Sequence, residues 1–197
     1  MKKRQFCGWL VTAAPAMVVA GTTAFSLPAS AAPGGLRLHF LGVDYEHRWS
    51  KNGQNEFTPR EQTDLTSWRD MLTINVHEAV ASEAQLKLLA HAVLGNYQQA
   101  GKVLYTGTRP ASAGQPTEYQ IVALLGNAEL LEAVFARFLL SDGVGTVVVY
   151  SHRVYGSASG PAMNEWLQAH GTQVETALMT WDRLPAVAAL SALPQSH

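Results

Sequence analysis

The chain has 197 residues, with 14 basic against 15 acidic side chains and 47% hydrophobic residues. This is the size of one domain able to bury a core of its own, and it excludes a repeat array or a disordered tail protein. Without the three leader cations described next, 11 basic groups face 15 acidic ones, a net charge of −4 that argues against binding a nucleic-acid backbone.

Lys2, Lys3 and Arg4 precede an uncharged segment, Phe6 to Phe25, and the small residues Ala29, Ser30 and Ala31 follow it. A cationic start, an apolar middle and a small-residue end are the features of a secretory signal peptide. Residues 1–31 are therefore read as a signal, with Ala32 as the mature start and a periplasmic or secreted location. The alternative is an uncleaved anchor, but Thr12, Pro15, Gly21, Thr22 and Thr23 lower the apolarity that a span needs. No stable membrane insertion is expected after cleavage. Cys7, the single cysteine, lies in the leader, so the mature chain is cysteine-free and has no disulfide or thiol chemistry.

Leu36, Leu38 and Phe40 alternate with Arg37 and His39, which predicts a half-buried strand running towards Val43 and Tyr45. Asn52-Gly53 predicts a tight hairpin turn that pairs the segment around His47 to Trp49 with the one around Asn55 to Phe57. After a polar connection, Trp68, Leu72, Ile74 and Val76 fall on one side of a strand, opposite Met71, Thr73, Asn75 and His77. Ser82 and Gln85 form a capping box ahead of a helix to Ala100, with Leu86, Leu89, Ala90, Val93, Leu94 and Tyr97 inward and His91 exposed.

Two strands follow, over 102–108 and 118–125. Asn127 is then placed to cap a second helix with the stripe Leu130, Leu131, Val134, Phe135, Phe138 and Leu139, ended by Asp142-Gly143. The apolar run Val147 to Tyr150 within Val144 to Tyr155 predicts a strand covered on both faces or lying central in a sheet. Pro161 opens a third helix carrying Met163, Trp166 and Leu167; Gly171 interrupts it, and Thr172 with Glu175 starts another short one. Pro185 closes a single domain spanning 32–185, leaving 186–197 as a flexible tail. The fold class is α+β: a mostly antiparallel or mixed sheet with helices packed on it, a two- or three-layer sandwich.

This order of elements is similar to the PsbP/Mog1-type α/β sandwich, which implies the same layered fold. Locally, Glu56-Phe57-Thr58-Pro59, then Trp68, Met71 and Thr73, then Ser151-His152-Arg153, resembles a pattern in uncharacterised exported proteins of Gram-negative bacteria. That resemblance implies export and transfers no catalytic residue.

Candidate chemistry gathers at few places. Ser151 and His152 are strand neighbours on opposite faces and cannot act as a nucleophile and base pair together. Ser151, Arg153 and Tyr155 share a face, where a hydroxyl, a cation and a phenol suit an anionic ligand; the competing reading is an arginine paired with a surface carboxylate. Trp68, after the polar connection, is the indole most open to a ligand groove. Asp44 and Glu46 share a strand face and suit either acid and base work or charged protection of a sheet edge. No two histidines stand two to four residues apart, so no single helix face or short loop makes a metal site, and no phosphate loop or dinucleotide fingerprint is present.

The expectation is a non-catalytic exported binding or accessory protein that takes a small anionic ligand or a protein partner at Ser151, Arg153, Tyr155 and Trp68, with no cofactor, metal or nucleic acid. The alternative is a small hydrolase in which Ser151 or Asp44 meets a distant histidine.

Overall fold

The computed structural model describes residues 35–112, 114–127 and 129–196; the leader and the expected start at Ala32 lie outside them. Strand β1 (Arg37–Phe40) alternates exposed and buried positions as its sequence predicts, and a turn at Leu41-Gly42 returns it along β2 (Val43–Lys51). Asn52 and Gly53, with φ of 53° and 80°, turn β2 into β3 (Gln54–Pro59). Gly53 serves twice: the turn needs its positive φ, and a Cβ there would sit 2.6 Å from the Val76 carbonyl oxygen.

The chain continues through β4 (Asp70–His77), α1 (Glu83–Ala100), β5 (Gly101–Arg109), β6 (Glu118–Gly126), β7 (Leu130–Ser141), β8 (Val144–Tyr155), α2 (Ser159–Thr180) and α3 (Val187–Ser191). The eight strands form one sheet in the order β1-β2-β3-β4-β8-β7-β6-β5, and every neighbouring pair is antiparallel. The fold is α+β, with helices packed on the sheet.

Register sorts the side chains into two faces. Phe57, Leu72, Tyr150, Phe135 and Val122 stand opposite one another across five strands and share a core with Met163, Val174 and Leu178 of α2. Ile121, Ala123, Val134 and Phe138 point the other way, and α1 lies on that side of β5 to β7 with Leu86, Ala90 and Val93 buried. Ser82 accepts from the Gln85 amide as the capping box requires. Leu89 is only half-buried, where the stripe places it in the core, and His91 is exposed. Leu86→Ala should therefore cost about 2–5 kcal/mol, and His91→Ala less than about 0.5 kcal/mol, in urea unfolding of the mature chain.

Four expectations are corrected. Residues 130–141 form strand β7, because both faces of this interior strand are covered; the apolar residues then run almost without break and imitate a helical stripe. Asp142-Gly143 (φ 52° and 76°) is the hairpin turn from β7 to β8, not a helix end. Gly171 does not divide the last long helix, since α2 runs unbroken for 22 residues with Val174 and Leu178 buried beyond it. The segment after Pro185 contains α3 and sends Leu190 and Leu193 into the core, and the Ser196 amide donates to the Ser50 carbonyl at 2.7 Å, in contrast to a flexible tail.

Candidate functional site

At the far end of β8 the alternation of a strand decides the chemistry. Tyr150 and His152 turn towards α2, and the pairing of β4 with β8 sets Asp70 directly opposite His152 on that face. Asp70 Oδ1 accepts from the Tyr150 hydroxyl at 2.7 Å and meets His152 Nδ1 at 2.8 Å. Gln62 holds the strand start in place: its Oε1 accepts from the amides of Arg69 and Asp70 at 2.7 and 3.0 Å, and its Nε2 donates to Asp70 Oδ2 at 3.3 Å. From α2, the half-buried Trp166 lays its indole on the His152 ring, centroids 4.0 Å apart and planes within 3°. The exposed His170, one turn along, lies 5.6 Å from Trp166.

Burial alone would raise the Asp70 pKa. The hydrogen bonds from His152 and Tyr150, the His152 charge and the Gln62 bond outweigh it, and the net shift is downward. An ionised Asp70 can only accept, so Nδ1 of His152 donates to it. No described residue bonds Nε2. Burial and the nearby Asp70 carboxylate push the Tyr150 and Tyr45 hydroxyls well up, so both phenols stay protonated.

The sign of the Asp70 shift fixes a pH dependence. A carboxyl whose folded pKa is depressed stabilises the fold above its unfolded value, about 3.9, and loses that contribution as pH falls through the folded one. Asp70→Asn should lower stability by about 1.5–3 kcal/mol at pH 7. Urea titrations of both proteins should show the gap closing below about pH 4.

Of the four residues singled out from sequence, Arg153, Tyr155 and Trp68 meet on the opposite face, where Ser151 is buried. Arg153 Nε donates to Glu132 Oε2 at 2.7 Å, and its guanidinium lies 3.8 Å above the Trp68 ring. The Tyr155 hydroxyl donates to the Trp68 carbonyl at 2.6 Å. Trp68 and Ser151 are each only 2% exposed, which corrects the reading of Trp68 as an open groove residue; Tyr155 remains at the surface. Arg153 is held by a carboxylate, as the competing reading has it, but Glu132 is buried and not the surface carboxylate expected.

Other polar clusters are also spoken for. Asp44 does meet a histidine, His39, at 2.7 Å, but both are exposed strand partners on the edge hairpin. Glu46 is ringed by Arg37, Arg48 and Arg60. His47 Nε2 lies 2.6 Å from Ser50 Oγ, yet that hydroxyl is fully buried and donates to Asn55 Oδ1. The imidazole is therefore the donor and does not activate the serine. Among the described residues no group of three His, Cys, Asp or Glu is gathered to hold a metal ion.

No family model matches the chain, and none of the curated proteins is significantly similar to it. Among solved structures it is similar to the Saccharomyces cerevisiae Ran-binding protein Mog1p, with 11% identity, a TM-score of 0.45, and coverage of 74% of this chain and 91% of that one. No residue role is taken from that likeness.

Proposed function

We propose that the mature chain is an exported, non-catalytic binding or accessory module, working in the periplasm or outside the cell, with the Asp70–His152 end of the sheet as its recognition site. One observation carries the reading: a histidine oriented by an ionised aspartate keeps its second ring nitrogen free of any described partner, beside a half-buried indole. That nitrogen and the half-buried indole are the groups a bound molecule would contact at this end of the sheet. The leader supports export, and among the described residues no helix is long and apolar enough to cross a membrane. A hydrolase built on Ser151 or Asp44 is the weaker reading, because Ser151 is buried facing away from His152 and the Asp44–His39 pair stands on an exposed hairpin.

Protein recovered from its native envelope should begin at Ala32, and intact Met1 in the membrane fraction would overturn cleavage. A thermal-shift screen of a mixed metabolite library should yield a stabilising compound whose effect is lost in His152→Phe, a variant that keeps a ring against Trp166. Turnover of p-nitrophenyl esters that His152→Phe abolishes would put catalysis in place of binding.

A further inference from the structure

We infer that the protein has a second ligand site on the other side of the sheet, in the groove between α1 and the strands β5 and β6, and that it takes a carboxylate carried on a short apolar body. The inference does not depend on the Asp70–His152 reading. The groove has a volume of about 490 Å³, within the range of small-molecule sites. Two features of the chain build it. On α1, Lys87, Ala90, His91 and Leu94 stand at spacings of three and four, so they line one side of the helix. On β5, a bulge between Val103 and Tyr105 shifts the register by one residue and exchanges the two faces. Val103 lies opposite Ala123 on the α1 side, but beyond the bulge it is Thr106 and Thr108, opposite Ile121 and Tyr119, that turn to α1. Bulges commonly re-aim side chains in this way beside functional sites.

The chemistry is divided across the groove. Ala90 and Ile121 are buried apolar floor, with Leu94 and Tyr119 half-buried beside them. The exposed Lys87, His91, Thr106 and Thr108 supply an ammonium, a ring N–H and two hydroxyls. An imidazole offers at least one N–H in either tautomer and when protonated. Among the described residues no aspartate or glutamate lines the groove, and Lys87 belongs to none of the ion pairs. One uncompensated positive charge matches one carboxylate. A phosphate monoester carries nearly two negative charges, and the groove has no arginine fork to meet it.

The test titrates hexanoate, heptanoate, octanoate, 1-octanol and inorganic phosphate separately into the mature protein and follows the backbone amide signals by NMR. With the carboxylates, shifts should cluster at residues 87–94 and 105–108, and each added methylene should tighten binding about three- to fourfold. Lys87→Gln should weaken octanoate binding about two- to fivefold and leave the weaker binding of 1-octanol unchanged. Thr106→Trp, which puts a ring into the groove from an exposed strand position, should abolish both. His152→Phe should alter neither, so the failure of this site and the failure of the Asp70–His152 reading are separate results. Octanol bound as tightly as octanoate would overturn the anionic part of the inference, and a response to phosphate with none to octanoate would overturn the apolar part. Shifts confined to residues outside the groove, or no shift with any probe, would overturn the site itself.

Discussion

Arg137→Leu should destabilise the protein by about 3–5 kcal/mol, read as a fall in the urea midpoint at unchanged slope. Arg137 stands on β7 with its side chain 6% exposed and gives two bonds to Glu118, Nε to Oε2 at 2.7 Å and Nη2 to Oε1 at 3.0 Å. Its remaining nitrogen, Nη1, donates to the carbonyls of Leu178 and Trp181 at 2.9 and 2.8 Å. Those oxygens belong to the last turn of α2 and the residue after it, where carbonyls lack partners within the helix, and α2 has no basic residue of its own there. Arg109 completes the arrangement by bonding Glu118 and donating to the Met179 carbonyl at 2.7 Å. One buried carboxylate thus holds two arginines that tie the helix end to the sheet. Leucine would leave the carbonyls unsatisfied in the core and strip Glu118 of its buried partner. The double variant Glu118→Leu/Arg137→Leu should regain part of the loss, because a buried ion pair costs most when one member is left alone. A single-variant loss below about 1 kcal/mol would mean that this pair behaves like a surface one.

Phe57→Ala should cost about 3–5 kcal/mol in the same assay. The ring has no solvent exposure, faces Leu72 across the β3–β4 pair and meets the edge of His47 at a centroid distance of 5.5 Å. His47 on β2 and Leu72 on β4 are held in place by strand pairing, so a cavity term adds to the lost transfer energy. Phe57→Leu, which fills most of the volume, should cost distinctly less, and equal costs for the two would show that the site collapses.

The β2–β3 hairpin, α1 and β8 were legible because their signals are local, whereas the turn at Leu41-Gly42 splits into β1 and β2 what the alternation reads as one strand running to Tyr45. Asn52-Gly53 names its own turn, Ser82 and Gln85 name a helix start, and valines 147 to 149 favour an extended chain. Strand β7 was misread for a physical reason. Leu, Ala, Phe, Glu and Arg dominate it, Val134 is its one β-branched residue, and burial on both faces removes the period of two. Asn127 added to the error: its Oδ1 does accept from the amides of Glu129 and Leu130, as a helix cap would, but the chain then enters a strand.

The site was half legible. Alternation separates Ser151 from His152, yet nothing local says which face meets α2. Asp70, the partner that orients His152, lies 82 residues away across a strand pairing that no local motif announces. The arginine and the indole that looked most available, Arg153 and Trp68, are the pair stacked on each other.

The claim that recognition uses the α2 face is tested most directly by the side-chain nitrogen signals of the mature protein with and without a saturating stabilising compound. Binding should move the Trp166 indole and the His152 ring nitrogens and leave the Trp68 indole and the Arg153 Nε–H in place. Movement of Trp68 and Arg153 with Trp166 and His152 unchanged would contradict the account and return the site to the opposite face of the sheet.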